Sequence, residues 1–400
     1  MMSSNGHIGA QIRKLRERTQ KTQTELAAAV GIDSTAISKI ESGDRQLRAT
    51  ELGAIAKYLG VSQLAILEPD SLLARLPVAP RAPEATSSAD VLRRMTHLAD
   101  LDNVLRHSGK IARPNYDEFE SVANQELPDI PRSAALARKV RERLGLVTDS
   151  EDPFVQLSNA IERELGIDVQ VAPLGAKNAM GASITDPSFP VILVNADQLR
   201  TRALFTLAHE LGHVLFNDGE VLQIDHDLGA SNSAERRANA FAANLLAPEA
   251  SIKEIMGDGK LTADKFARMI LKFGVSLESL TFRLQNLAII NRSGRKAIQE
   301  LGWTSLIHSL HEAETVRRLI VIRTARAESS PPAWLAARAL AGFQDGNIGA
   351  APLAGLLGMN VETVIERVPP LTSDPIQFDA YSSPQDLPSE TEHSFDTTPV

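Results

Sequence analysis

The 400-residue chain contains no cysteine, and this absence excludes disulfide bonds and any metal site built from thiolates. A protein without disulfides suits a reducing compartment, so we expect an intracellular, cytoplasmic protein. No apolar run approaches the roughly 20 residues that a membrane-spanning helix needs. Residues 1–6 are polar and do not resemble the start of a secretion signal. We therefore expect neither membrane insertion nor secretion.

Positive charge is also in short supply. The chain has 42 Lys and Arg against 50 Asp and Glu, a net charge of −8, which argues against nonspecific nucleic-acid binding by the whole molecule. The charge is uneven, however, since residues 1–67 carry nine basic and six acidic residues, a net of +3. Residues 371–400 contain six acidic residues and no Lys or Arg, which predicts a disordered acidic tail.

Residues 209–213 read His-Glu-Leu-Gly-His, a pattern that can hold zinc and activate water on it. Positions four apart lie one above the other on a helix face, so His209 and His213 can reach the same ion. Glu210, one step round the helix, can act as general base. Apolar neighbours and the absence of proline between positions 198 and 216 favour a helix. The alternative is a buried amphipathic helix with two incidental histidines.

A catalytic zinc normally has three protein ligands, so the motif needs a third. The metzincin class is excluded, because Phe216 and Gly219 stand where it requires glycine and histidine. A glutamate from a second helix is another common solution, and Glu235 begins an apolar helical pattern that ends at Pro248. Asn239, one turn further on, can bond the outer side of a zinc histidine. Three other candidates are expected to be solvated loop residues: Asp225, His226 and Asp227.

The segment from about 150 to 290 resembles the ImmA/IrrE family of zinc metallo-endopeptidases. The resemblance rests on Leu207–His213 and on Glu235–Pro248, which reads Glu-Arg-Arg-Ala-Asn-Ala-Phe-Ala-Ala-Asn-Leu-Leu-Ala-Pro. Ala247 replaces the methionine of many relatives at a packing position. The resemblance implies a zincin-like (gluzincin) fold in which Zn²⁺ is held by His209, His213 and Glu235, with Glu210 as the base.

Residues 8–67 show a compact helical pattern with short breaks. Gly31 suits a left-handed helix stop and Asp33 suits an N-cap, so a tight turn separates two short helices. Two helices joined in this way describe a helix-turn-helix, whose second helix enters the DNA major groove. The polar positions of that second helix can bond base edges: Ser34, Thr35, Ser38 and Lys39.

This region is similar to the XRE (lambda-repressor-like) family of DNA-binding domains. The similarity rests on Gln23–Ala27, Gly31, Ile37–Glu41 and Gly43. It implies a five-helix domain that binds a double-stranded DNA operator. In such a complex Gln23 and Arg45 would contact the DNA backbone, and the four polar residues of the second helix would face the bases. Repressor domains of this type often bind as dimers, so a homodimer is expected. The alternative is a protein-interaction module that does not bind DNA.

The patterns together predict a mainly α protein with an α+β peptidase domain. They divide the chain into a helix-turn-helix domain at 1–68, a flexible linker at 69–88, a helical spacer at 89–149, the peptidase domain at 150–290, a helical C-terminal region at 291–370 and the tail at 371–400. Strands are expected at 168–173, 182–185 and 191–194, and an extended peptide substrate could lie along their edge.

The two resemblances together indicate a DNA-binding transcriptional regulator that carries an endopeptidase. Relatives of the peptidase act on repressors with this type of helix-turn-helix, which implies an intracellular substrate of that kind, or the chain itself, in a stress, mobile-element or toxin–antitoxin circuit. The alternative is a transcription factor or antitoxin that uses the zincin fold as a sensor or interaction domain without proteolysis.

Overall fold

The computed structural model describes residues 4–68, 71–77, 87–106, 114–147, 150–175, 179–217, 221–225 and 232–368. It is mainly helical with one four-stranded sheet, which confirms the predicted fold class. The predicted acidic tail lies outside the described residues. Across the described ranges, no helix combines the length and the apolar character needed to cross a bilayer.

Five helices form the N-terminal unit, as predicted: α1 (Ser4–Arg18), α2 (Gln23–Val30), α3 (Ser34–Ser42), α4 (Ala49–Leu59) and α5 (Gln63–Leu67). Gly31 ends α2 in the left-handed region at φ 76°, and the side chain of Asp33 caps α3 by accepting from the backbone N–H of Thr35. Arg16 and Glu41 form a buried ion pair at 2.6 Å that joins α1 to α3. These contacts fix α3 at the surface of a closed apolar core.

Part of the predicted linker is folded. Residues Leu72–Arg75 form a short helix, α6, whose Leu72 and Leu73 are buried, and α7 begins at Ser87 and runs to Leu105. Both leucines pack in one apolar cluster with residues of α7. Positions 69–70 and 78–86 of the linker lie outside the described residues.

The central part of the chain holds the sheet and the two motif helices. Its elements are a 3₁₀ turn (Asp117–Phe119), α8 (Glu120–Ala123), α9 (Asp129–Arg143), α10 (Pro153–Ala160), a π-helical turn (Ile161–Leu165), β1 (Asp168–Ala172), β2 (Gly181–Ile184), β3 (Val191–Asn195), α11 (Arg200–Phe216), β4 (Leu222–Asp225), α12 (Ser233–Leu246), α13 (Glu249–Met256), α14 (Ala263–Phe273) and α15 (Leu277–Asn286). The predicted strands are β1, β2 and β3, whereas β4 was not predicted.

The strand order is β1-β3-β2-β4, with β1 parallel to β3 and with β2 antiparallel to both β3 and β4. On the outer side of β1, Val171 exchanges backbone hydrogen bonds of 3.0 and 2.9 Å with Ser330. The strand β4 forms the opposite edge of the sheet.

Both faces of the sheet are covered. Ile192 and Val194 of β3 pack in the cluster that contains α11, while Val191 and Leu193 pack in the cluster that contains α7 and the C-terminal helices. This alternation follows from the two-residue period of a strand. On the first face, α12 packs against both α11 and α9, so α9 of the predicted spacer joins the core around the motif helices.

Five further helices follow: α16 (Arg292–His308), α17 (Ala313–Thr324), α18 (Ala333–Gln344), α19 (Ala350–Leu357) and α20 (Val361–Arg367). Leu335, Leu353 and Val364 of α18 to α20 are buried in the apolar cluster that covers the second face of the sheet, so residues 333–368 contribute to packing. A buried ion pair between Asp102 and Arg338 ties α7 to α18.

Candidate metal centre

The helix α11 carries the His-Glu-Leu-Gly-His motif through the interior of the protein. His209, Glu210 and His213 are all 0% exposed. Gly212 lets α12 approach closely, because a Cβ atom at this position would lie 3.2 Å from Cα of Ala238. The absent side chain therefore brings the second motif helix within reach of the two histidines.

Four side chains converge at this point. Nε2 of His209 lies 3.0 Å from Nε2 of His213 and 3.2 Å from Oε2 of Glu235, which belongs to the first turn of α12. Nε2 of His213 lies 3.5 Å from Oε1 of Glu235. A carboxylate from β4, that of Asp225, lies 2.8 Å from Nε2 of His209. The ligand atoms of all four residues lie within 4.8 Å of one another.

This donor set fits a zinc ion. In a tetrahedral zinc site with bonds of about 2.0–2.1 Å, any two ligand atoms lie about 3.3 Å apart. The distances between the ligand atoms of His209, His213 and Glu235 are 3.0, 3.2 and 3.5 Å, close to that value. Oδ2 of Asp225 and Oε2 of Glu235 are buried, and when the Nε2 atoms of His209 and His213 carry no proton, no described residue donates a hydrogen bond to either oxygen. A buried acceptor without a donor costs about 1–3 kcal/mol, and a bound cation removes that cost at both oxygens.

The charges of the cluster are strongly coupled. Burial lowers the pKa of His209, but the carboxylates of Asp225 and Glu235 outweigh burial and raise it to about 9. Burial raises the pKa of Glu235, but His209 and His213 outweigh burial and lower it to about 2. The metal-free cluster therefore holds a proton on a ring nitrogen that a metal would need.

Glu210 lies beside the cluster and is fixed by the sheet. Oγ of Ser183 in β2 donates to Oε2 of Glu210 at 2.7 Å. Burial raises the pKa of Glu210 well above its ordinary value, and the negative charge of Asp225 raises it further. Gly181 leaves the space that this carboxylate fills, because a Cβ atom there would lie 2.7 Å from Oε1 of Glu210.

Asn239 lies one turn after Glu235 on α12. Its Oδ1 accepts a hydrogen bond of 3.1 Å from Nδ1 of His209. This contact places the proton of the neutral ring on Nδ1 and leaves the lone pair of Nε2 directed into the cluster.

The expectation that Asp225 is a solvated loop residue is wrong. Asp225 ends strand β4, is 6% exposed and lies in the cluster. The alternation Leu222-Gln223-Ile224 was the available signal for a strand, but it is short and its partner strand is not local in sequence. His226 and Asp227 lie outside the described residues.

The residues expected to contact DNA fall into two groups. Ser34, Thr35, Ser38 and Lys39 are exposed on α3, although the hydroxyl of Thr35 also donates to Asp33 at 2.7 Å. Gln23 and Arg45, which were expected to contact the DNA backbone, form side-chain contacts within the protein. Nε2 of Gln23 donates to Glu41 at 2.8 Å, and the guanidinium of Arg45 pairs with Glu51 at 2.7 Å. The structure thus presents the α3 residues and holds the other two in internal contacts.

Comparisons with known proteins match both parts of the chain. Residues 162–285 match a family model described as the IrrE N-terminal-like domain, and residues 7–66 match a helix-turn-helix domain model. The radiation response metalloprotease IrrE of Deinococcus radiodurans is similar, with 34% identity over 124 residues. The match spans 30% of this chain and 37% of that relative's length. Both resemblances inferred from the sequence motifs are confirmed.

Proposed function

We propose that this chain, which carries a helix-turn-helix domain and an IrrE N-terminal-like domain, is a DNA-binding transcriptional regulator with a zinc-dependent endopeptidase site in the cytoplasm. The observation that carries the peptidase proposal is the convergence of His209, His213 and Glu235 on one buried point, with Glu210 alongside. The helix-turn-helix domain and the exposed polar surface of α3 support the DNA-binding part.

The chemistry follows from the positions of these residues. Zinc held by His209, His213 and Glu235 would supply Lewis acidity toward a scissile carbonyl and a water, and would favour the ionised form of nearby carboxylates. Glu210 takes the proton of the attacking water and passes it to the leaving amine. Ser183 holds the carboxylate of Glu210 in place for both transfers, and Asn239 holds the ring of His209.

The substrate we propose is an intracellular protein with the same type of helix-turn-helix as this chain, which includes a second copy of the chain. The edge strand β4 ends in the metal cluster, so an extended segment paired with it would lead directly to the site. If the chain cuts itself, we expect cleavage in the predicted linker at 69–88, outside the helix Leu72–Arg75 and before α7.

Cleavage is tested with zinc-loaded protein incubated in a cytoplasmic extract of the host, followed by mass spectrometry of new N-termini. Wild type should generate new N-termini in helix-turn-helix proteins, whereas Glu210→Gln should generate none while it still binds zinc. Glu254→Gln, the same change at an exposed position of α13, is the matched control and should behave as wild type. Identical sets of N-termini from wild type and Glu210→Gln would reject the peptidase and favour a sensor or interaction domain.

DNA binding is tested on an operator selected from random sequence with the full chain. Lys39→Ala should weaken operator binding by about 1–3 kcal/mol and relax base preference, as expected for a base contact. Lys57→Ala removes the same charge from an exposed position of α4 and should leave base preference unchanged. Equal effects of the two substitutions would argue against α3 as the reading helix.

A further inference from the structure

The strand β4 delivers a fourth ligand atom to the cluster. We propose that Asp225 is a protein ligand of the metal, so that in this conformation the ion is enclosed by four side chains: His209, His213, Asp225 and Glu235. This inference rests on the proposed function because both concern the same metal site. It adds a fourth ligand and a closed coordination state to that site.

The distances place Asp225 among the ligands. Its Oδ2 lies 2.8 Å from Nε2 of His209 and 3.8 Å from Nε2 of His213. These values lie on either side of the separation of about 3.3 Å expected between tetrahedral zinc ligands. Asp225 therefore fits the same ion as the other three residues.

The nitrogen that Asp225 approaches is the decisive detail. A carboxylate that only supports a zinc histidine bonds the outer ring nitrogen, and that position on His209 is filled by Asn239 at Nδ1. Asp225 instead approaches Nε2, the nitrogen that faces His213 and Glu235. Its carboxylate thus lies on the metal side of the ring.

Burial supports the same assignment. Asp225 is 6% exposed, and when the Nε2 atoms of His209 and His213 carry no proton, no described residue donates a hydrogen bond to its Oδ2. Its backbone is held by the sheet, since its carbonyl accepts from the N–H of Met180 at 2.7 Å and the residue is paired with Gly181. The side chain is therefore presented to the cluster from a fixed strand, and a cation bound at Nε2 of His209 would also be within reach of Oδ2 of Asp225.

A fourth protein ligand has a chemical consequence. Catalytic zinc sites keep one position open for water or substrate, whereas sites with four protein ligands are closed. With Asp225 bound, the position that a substrate carbonyl needs is filled. Turnover then requires Asp225 to leave the ion or the coordination number to rise to five.

The test uses full-length protein loaded with Co²⁺, whose visible absorption reports coordination, and acetohydroxamate as the probe of an open position. Wild type should show an intense four-coordinate spectrum that resists the probe. In Asp225→Ala the probe should bind at least about tenfold more tightly.

The second measurement is zinc affinity by chelator competition. In Asp225→Ala it should fall at least about tenfold, because the loss of a residue that only bonds a metal ligand already costs that much. Asp225→Asn is the second variant, and Asp258→Asn, an exposed change of the same charge, is the control.

The outcomes separate this inference from the proposed function. If Glu235→Ala loses the metal while wild type and both Asp225 variants share one spectrum, one zinc affinity and one hydroxamate affinity, the fourth ligand is rejected and the three-residue site stands. If wild type itself binds no metal at the cluster, the proposed function fails and this inference fails with it.

Discussion

Oγ of Ser183 donates a hydrogen bond of 2.7 Å to Oε2 of Glu210, and this contact joins the middle of the sheet to the motif helix. Both residues are 0% exposed. The position of the expected general base is therefore set by β2 as well as by its own helix, and the chemistry of the site depends on the sheet.

Replacement of Ser183 by alanine should lower kcat/KM by about ten- to a hundredfold, the equivalent of a lost hydrogen bond to a charged group. The bond from Ser183 lowers the pKa of Glu210, so its loss should move the acidic limb of the pH profile to higher pH. Zinc content should not change. Ser188→Ala, on the exposed turn after β2, is the control, and an unshifted pH profile in Ser183→Ala would contradict the assignment.

Gly181 is expected to tolerate no side chain. A Cβ atom there would lie 2.5 Å from Cγ2 of Thr206 and 2.7 Å from Oε1 of Glu210. Gly181→Ala should lower the free energy of unfolding by about 1–3 kcal/mol, as overpacking does, and should reduce activity. Adding Thr206→Ser removes Cγ2, so urea unfolding should show recovered stability while activity stays low. Recovery of both would mean that the contact with Glu210 does not matter.

Zinc binding should depend on pH through His209. The pKa of this ring is raised to about 9 in the metal-free protein, and zinc requires its neutral form. Below pH 9 binding must therefore release a proton, and apparent affinity should rise about tenfold per pH unit up to pH 9 and then level off. Calorimetry in buffers of different ionisation enthalpy should detect about one released proton at pH 7.5. Affinity that is already constant above pH 6.5 would contradict the shift.

Asn239 should matter for metal affinity without contacting the metal. Its Oδ1 is the acceptor for Nδ1 of His209, so Asn239→Leu should weaken zinc binding by about 10- to 100-fold. Asn239→Asp keeps an acceptor at this place and should retain most of the affinity. Equal zinc affinities for Asn239→Leu and wild type, measured by chelator competition, would remove this role.

Local patterns in the sequence predicted the elements that depend on local physics. The spacing of His209 and His213 predicted one helix, and the apolar stripe from Glu235 to Pro248 predicted another, as α11 and α12 confirm. Gly31 and Asp33 likewise predicted the turn before α3, since left-handed backbone and N-capping are decided within a few residues.

What was missed depends on contacts between distant segments. Asp225 reaches the cluster only because β4 pairs with β2, a partner about 40 residues earlier in the chain. Leu72 and Leu73 are buried in a cluster with residues of α7 and the sheet. The proline-rich composition of the segment does not reveal these distant partners, and it therefore suggested a linker.

The most direct test of the zinc site is anomalous diffraction at the zinc absorption edge from crystals of the zinc-loaded protein. We predict one strong peak at about 2.0–2.2 Å from Nε2 of His209, Nε2 of His213 and an oxygen of Glu235. A zinc-loaded crystal with no peak at this point, or with zinc bound only elsewhere, would contradict the proposed metal centre.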